Sequence, residues 1–317
     1  MFIIKNIEGR GNGWIATKDI PKGTIINIEK ALVLINKKKV PFKEIENVIT
    51  NIYFKNEIIK KEYFELHDNQ IKEGEEKTIK GIYLTNNMTI DDTYCGVFHH
   101  NALINHDCNP TCVWFFKKLQ CYIISTKNIK KNQEITISYN ILTYNKKKRQ
   151  NHLLKNYKFN CSCKLCSSDL DNLRINKLLE LQKKYLENYI QNNFIQGILE
   201  NRTCIELILL MDLQYPIAKQ IVGELLIFCN NDLIYNKYFP LYTELCNYFM
   251  ESNKIPIKNK DKDVIGELTD ICCAYCCKTD GKLLYCKICK IQYCSVECQK
   301  KAWSKHKKYC VPINKEN

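Results

Sequence analysis

The sequence predicts a mixed α+β chain in three parts: a β-rich first half with a helical insert, an all-helical stretch, and a small cysteine-rich module at the end. Three observations carry this. Short apolar runs punctuated by glycine and proline fill residues 1–35 and 81–140. Apolar residues at helical spacing fill 41–66 and 169–250. Cysteines bunch in CxC and CxxC units at 161–166 and beyond 270.

Taken in order, "GRGNGW" (9–14) reads as a glycine turn and "IATKDI" (15–20) as a short strand. "PKG" is a turn and "TIINIEKALVLI" (24–35) a strand pair. Ile45, Val48, Ile49, Ile52 and Tyr53 mark one helical face of an insert spanning 36–80, whose last part, 68–80, reads as polar loop. Residues 81–140 return to strands, with "QCYIISTKNIKKNQEITISY" giving two around an Asn/Lys-rich turn. A basic helix over 146–157 precedes the cysteine cluster. Leu178, Leu181, Tyr185 and Leu186 stripe the helical region (167–250), which Pro216 and Pro240 divide. A polar linker, 251–269, leads to the terminal module, 270–311.

The 317 residues suit two or three domains, and a 45% apolar fraction can fill real cores. No signal peptide is visible, since "MFIIKNIEGRG" runs early into charge and glycine, and no apolar run reaches membrane-spanning length. The expectation is therefore a protein of a reducing compartment, cytoplasmic or nuclear, without a membrane partner. Nineteen cysteines then read as zinc ligands rather than disulfides. Eleven thiolates on three zinc ions would lower the formal charge of +14 to about +9. The remaining basic surface suits acidic protein tails, with weak nucleic-acid contact as a further expectation, or serves solubility alone. "NKKKRQ" (145–150) reads equally as an import signal or as a solvated helix face.

In the terminal module Cys273, Cys276, Cys286, Cys289, Cys294, Cys298, His306 and Cys310 have metal-ligand spacing. Some forty residues cannot supply an adequate apolar core, so metal must supply the folding energy. A third site begins with Cys161, Cys163 and Cys166, one ligand short of closure. "LINHDCNPTC" (103–112) supplies the fourth through Cys108, so that stretch is half of a site completed some fifty residues later.

The module resembles the MYND zinc finger along its whole length. That resemblance implies interleaved sites, Cys273/Cys276/Cys294/Cys298 and Cys286/Cys289/His306/Cys310, and a short, often proline-containing peptide partner. Gln292, Tyr293 and Trp303 become groove candidates. "GRGNGWIATKDIPKG", "NHDCNP", "EITISY" and "YKFNCSCKLC", in that order, resemble a SET-domain protein lysine methyltransferase, and with the finger the chain resembles the SET-and-MYND family. The fold implied is a β-rich SET domain (1–166) with a zinc-bound post-SET segment (157–166). The finger departs from the family by sitting at the end of the chain. The family's "NHSCxPN" here carries Asp107 for Ser and Thr111 for the final Asn.

The activity implied is methyl transfer from S-adenosylmethionine to a lysine side chain of a histone or another protein. Gly11 and Gly13 permit close backbone approach to the cofactor. By resemblance Arg10 and Asn12 hold its carboxylate and amino ends, Asn105 and His106 bind its amino group and adenine, Asn86 adds a contact, and Phe159 packs on the adenine. Tyr139 and Tyr157 are the catalytic residues lining a lysine channel, with Tyr139 also lining the cofactor site. Deprotonating a lysine at pH 7 costs about 4.6 kcal/mol. Repulsion by a sulfonium about 4 Å away supplies roughly 4 kcal/mol at an effective dielectric of 20. No dedicated base is then required. A cysteine hydrolase built on His106 and Asp107 is disfavoured, because adjacent extended residues point to opposite faces. The rival reading is a catalytically silent scaffold that binds partner peptides.

Overall fold

The computed structural model describes residues 1–71, 74–139, 145–190, 194–211, 221–223, 225–226, 234, 236–238, 240–242 and 271–312. The chain divides into two compact units, 1–141 with 147–161, and 142–146 with 162–317. The linker, and most of 212–250 with Pro216, lie outside the described residues.

The first unit is three small antiparallel sheets. β1 (Phe2–Ile7) and β2 (Gly11–Ala16) form a hairpin, and β9 (Glu134–Ile135) adds to the other edge of β2. The turn falls at 8–10, and "GNG" belongs to the strand rather than to the expected glycine turn. Gly9 and Gly11 carry positive φ (68° and 66°), which confines the reversal to that point. β3 (Ile25–Lys30), β8 (Gln120–Ser125) and β7 (Cys112–Lys117) make the second sheet. β4 (Val33–Asn36), β6 (Tyr94–Val97) and β5 (Asn87–Thr89) make the third. The expected strand pair at 24–35 is thus β3 and β4 in different sheets, and 120–139 likewise divides between sheets as β8 and β9.

Trp14 is fully buried; its indole stacks on Phe2 and donates Nε1–H to the His100 carbonyl at 3.0 Å. Around it Ile20, Phe98, Ile104, Ile123, Ile129 and Ile135 close an apolar core. At about 25 cal/mol per Å² of apolar area, burial of this kind stabilises the unit.

The insert is not one helix. A 3-10 turn (Phe42–Glu44), α1 (Ile45–Val48), a π turn (Ile49–Tyr53) and α2 (Glu57–Glu65) follow one another. Asn56 restarts the helix, its Oδ1 accepting from the Ile58 and Ile59 N–H groups at 2.9 and 3.3 Å. Ile45 and Ile49 reach the core, but Ile52 is 62% exposed, because the π turn shifts the helical phase. A helix, α3 (Ile79–Asn86), also replaces the loop and strand expected across 79–86. Thr78 caps it through the Gly81 N–H, and Ile82 and Tyr83 bury. α4 (Lys146–Tyr157) has the expected bounds.

The second unit opens with α5 (Lys164–Ser167), α6 (Asp169–Ile190) and α7 (Phe194–Leu210), the latter two packed together. Leu178, Leu181 and Tyr185 are buried as their stripe requires; the Leu186 side chain lies outside the described set. The terminal module is a short hairpin, β10 (Leu284–Tyr285) with β11 (Gln292–Tyr293), then α8 (Val296–His306), capped by the Ser295 Oγ accepting from the Cys298 N–H. Its core mixes ligands with apolar side chains: Cys273, Cys286 and Cys289 with Ala274, Ile291, Tyr293, Ala302 and, from α7, Leu199. Among the described residues, no helix is long and apolar enough to cross a membrane.

Candidate active site and metal centres

Backbone pairing assembles the site. Segment 105–107 runs beside Ile137, with Ile137 N–H donating to the Asn105 carbonyl and Asp107 N–H to the Ile137 carbonyl, both at 3.0 Å. "NHDC" and "EITISY" therefore meet. The two departures from the family motif have local roles. Asp107 Oδ1 accepts from the Asn109 N–H at 2.7 Å and shapes the turn. Thr111 is buried and exchanges hydrogen bonds with Thr136, each hydroxyl accepting the other's N–H.

At one end of this segment the Asn105 amide nitrogen is buried with no hydrogen-bond partner, and so is Glu134 Oε1. Both face Gly13, where an added Cβ would lie 2.6 Å from Asn105 Nδ2 and 3.3 Å from Glu134 Oε1. A buried amide and a buried carboxylate oxygen lacking partners, beside backbone with no Cβ, suit the amino-acid end of S-adenosylmethionine. Arg10 lies close by, donating to Glu134 Oε2 at 2.6 Å and to the His106 carbonyl at 2.5 Å. That carbonyl, expected to take the adenine, is here held by Arg10. Asn12 pairs across the hairpin with Asn6. Asn86 sits apart at the end of α3, its amide donating to the His67 and Ile82 carbonyls at 2.7 Å each.

At the other end four rings meet. His106 lies 6.0 Å from Phe159 and 5.3 Å from Tyr139, and Tyr139 lies 4.7 Å from Tyr157, all centroid to centroid. Tyr139 donates its hydroxyl to the Ile104 carbonyl at 2.6 Å, which leaves its oxygen lone pairs as acceptors. Burial pushes the Tyr139 phenol well above its ordinary range, with the Tyr157 charge adding to it, and burial also raises Tyr157. Both stay protonated at neutral pH, so neither is a phenolate base. Burial likewise lifts the Cys112 and Cys121 thiols to about 12, which removes them as nucleophiles.

Among the described residues the metal candidates group into three sets: Cys108/Cys161/Cys163/Cys166, Cys273/Cys276/Cys294/Cys298 and Cys286/Cys289/His306/Cys310, each with ligand atoms within 4.8 Å of one another. Cys108 and Cys161 sulfurs are 3.9 Å apart; Cys276–Cys294, Cys294–Cys298 and Cys286–Cys310 are each 3.6 Å. A zinc tetrahedron with bonds of about 2.3 Å has sulfur–sulfur edges of about 3.8 Å. A disulfide needs about 2.05 Å. The residues fit zinc in all three sets.

Of the remaining cysteines, Cys95, Cys112, Cys121, Cys204 and Cys272 are buried as small apolar residues, Cys277 is half-buried at φ 64°, and Cys229 and Cys246 lie outside the described residues. His106 links ring cluster to metal. Its Nδ1 accepts the Tyr139 N–H at 2.9 Å, so Nε2 carries the proton and faces the Cys108 sulfur at 3.3 Å. The finger groove needs correcting: Gln292 and Tyr293 are about 1% exposed and belong to the interior, whereas Trp303 is 46% exposed. Gln292 turns inward because its Oε1 accepts the Ile271 N–H at 2.6 Å.

Sequence reasoning missed three residues. Glu134 stood inside a quoted motif without a role. Gln150 clamps Cys161 from α4, donating to its carbonyl at 2.6 Å and accepting its N–H at 2.8 Å. Glu206 contacts His306; its signal was a carboxylate interrupting "CIELILL".

Comparison with known proteins gives matches to two family models. A family model described as the SET domain matches residues 11–140, and one described as the MYND finger matches 273–310. The chain is 29% identical over 191 residues to histone-lysine N-methyltransferase set5 of Schizosaccharomyces pombe, covering 60% of this chain and 57% of that one. It is 25% identical over 228 residues to the putative SET domain-containing protein L678 of Acanthamoeba polyphaga mimivirus, covering 62% and 89%. It is 32% identical over 101 residues to N-lysine methyltransferase SMYD2 of Gallus gallus, covering 29% and 23%. The matched part thus spans a little over half the length of the first relative and under a quarter of the third.

Proposed function

From the premise that this chain joins a SET domain to a C-terminal MYND finger, we propose that it is a protein-lysine N-methyltransferase that uses S-adenosylmethionine. The observation that carries the reading is the Tyr139–Tyr157 ring pair at 4.7 Å, set beside His106, whose chain neighbour Asn105 belongs to the Gly13–Asn105–Glu134 cradle. The cofactor supplies, when bound, the electrophilic methyl group and a positive sulfonium. Gly13, Asn105, Glu134 and Arg10 would hold its amino-acid end, and Phe159 would pack against its ring system. Tyr139, its proton committed to Ile104, accepts from the incoming lysine nitrogen and aims the lone pair. Tyr157 closes the opposite wall of the channel. Zinc on Cys108, Cys161, Cys163 and Cys166 would fix the segment that follows Tyr157.

The substrate is a lysine of a histone or another protein. The finger takes a short peptide partner; exposed Leu284, Tyr285, Ile288, Val296 and Trp303 support that. The basic face of α8 is partly neutralised by a 2.7 Å Glu297–Lys301 ion pair, so nucleic-acid contact is weak and salt-sensitive. The compartment is reducing, cytoplasmic or nuclear, as thiolate ligands require. The basic run at 145–150 exposes Lys146, Lys147 and Lys148 but buries Arg149 in α4, which favours a helix face over an import signal.

One observation favours the silent scaffold: Arg10 occupies the His106 carbonyl. Titration calorimetry with S-adenosylmethionine, paired with tritiated-methyl transfer into a cell extract, separates the two. Binding with lysine labelling supports the enzyme; absence of both leaves the scaffold.

A further inference from the structure

We propose that Glu206 is the outer carboxylate of the finger's second metal centre, and that it locks the finger onto α7 as a single body instead of leaving a module tethered by the linker. Glu206 Oε2 lies 2.8 Å from His306 Nδ1, and Glu206 Oε1 accepts the Tyr293 hydroxyl. Glu206, His306 and Tyr293 are all buried, at 4%, 3% and 1% exposure. His306 Nε2 points the other way, 3.6 Å from the Cys289 sulfur. A histidine that ligates through Nε2 must place its Nδ1–H on an acceptor, and a carboxylate both fixes the ring and raises its basicity. A buried carboxylate in turn needs donors, and Glu206 receives two.

The same helices grip the module at two further ligands. Arg202, fully buried on α7, donates Nη2 to the carbonyls of Tyr309 (3.3 Å) and Val311 (3.0 Å), the residues on either side of Cys310. Arg174 on α6 donates Nε to the Tyr275 carbonyl at 2.9 Å, one residue before Cys276, and its guanidinium lies over that ring at 4.9 Å. Leu199 joins the ligand core itself. Each grip falls on a ligand or on its immediate neighbour, so metal binding and docking of the helices are one event.

The test uses the full zinc-loaded chain and does not read methylation, so it succeeds or fails independently of the enzymatic reading. Zinc is competed off with a chromogenic chelator while hydrogen exchange follows the α7 amides. Glu206→Ala should lower the affinity of one of the three zinc ions about 10- to 100-fold, and removing zinc from the unmodified chain should expose α7 to exchange. Because Glu206→Ala can fail to fold, the near-isosteric Glu206→Gln is measured in two backgrounds. In the unmodified chain it should weaken the same zinc; with His306→Cys, which keeps four ligands but has no Nδ1, it should change affinity less than about twofold. An unaltered zinc affinity in Glu206→Gln, an equal effect in both backgrounds, or an α7 indifferent to zinc removal overturns the proposal.

Discussion

Two four-ligand sets of similar size sit in different surroundings. The set at Cys108, Cys161, Cys163 and Cys166 and the set at Cys286, Cys289, His306 and Cys310 have adjacent sulfurs 3.9 and 3.6 Å apart. What differs is the next layer. Around the first, His106 leads from Cys108 to the Tyr139 backbone, and Gln150 leads from Cys161 into α4, the helix that ends at Tyr157. Around the second, Glu206 and Arg202 lead into α7. The lesson is that ligand chemistry selects the metal, while the contacts around the ligands decide which part of the chain the metal fixes: here the segment at Tyr139 and Tyr157 in one case and α7 in the other.

The comparison breaks most sharply at Cys161. Cys161→Ser should leave two zinc ions per chain by metal analysis and drop lysine methylation below detection, since a closed structural site contributes about 10–16 kcal/mol. Normal turnover with one zinc fewer would mean that the clasp does not position the site. Tyr139→Phe should next cost about 10²–10³ in kcat, the usual loss of one preorganised polar group, while calorimetry finds a much smaller change in cofactor affinity, since the ring that lines the cofactor site is kept. Gly13→Ala should weaken S-adenosylmethionine about tenfold, because a Cβ meets Ile7 Cδ1 at 2.5 Å and Asn105 Nδ2 at 2.6 Å. Gln150→Ala should lower the melting free energy by about 2 kcal/mol through two lost bonds to Cys161, measured by denaturant titration.

The pH dependence sharpens the same contrast. Tyr139 and Tyr157 are raised by burial, so they stay neutral across the working range. In kcat/KM the rate should rise with pH as the substrate lysine loses its proton, with no enzyme group breaking the profile near neutrality. For stability the sign runs the other way. A phenol raised in the folded state stabilises fully below its unfolded value near 10, and that share is lost as pH climbs above it. Unfolding midpoints should therefore fall only in the alkaline range.

Legibility varied with the kind of signal. Ligand sets were readable because CxC, CxxC and helical spacings constrain few residues at short range, and all three appear as spaced. The 146–157 helix was readable from local pattern. The insert was not: Asn56 and a π turn rephase it, which no periodicity of 3.6 captures. α3 was hidden because its polar approach, 68–78, looks like loop until Asp68 is seen accepting from Thr78. Gln292 and Tyr293 were groove candidates only through the resemblance to a peptide-binding finger; hydrogen bonds to Ile271 and Glu206 turn them inward.

By itself the sequence determined which atoms can ligate metal, and that the segment around Cys108 must be completed by the trio some fifty residues on, because coordination number and local spacing are properties of the chain. Only the tertiary structure decided that Glu134 faces Asn105, that Tyr139 meets Tyr157, and that Glu206 meets His306. Those pairs lie up to 100 residues apart, and local spacing carries no record of them: packing of the core sets Asn105 and Glu134 about Gly13 and brings the two rings together, while Glu206 and His306 meet because buried polar groups need partners.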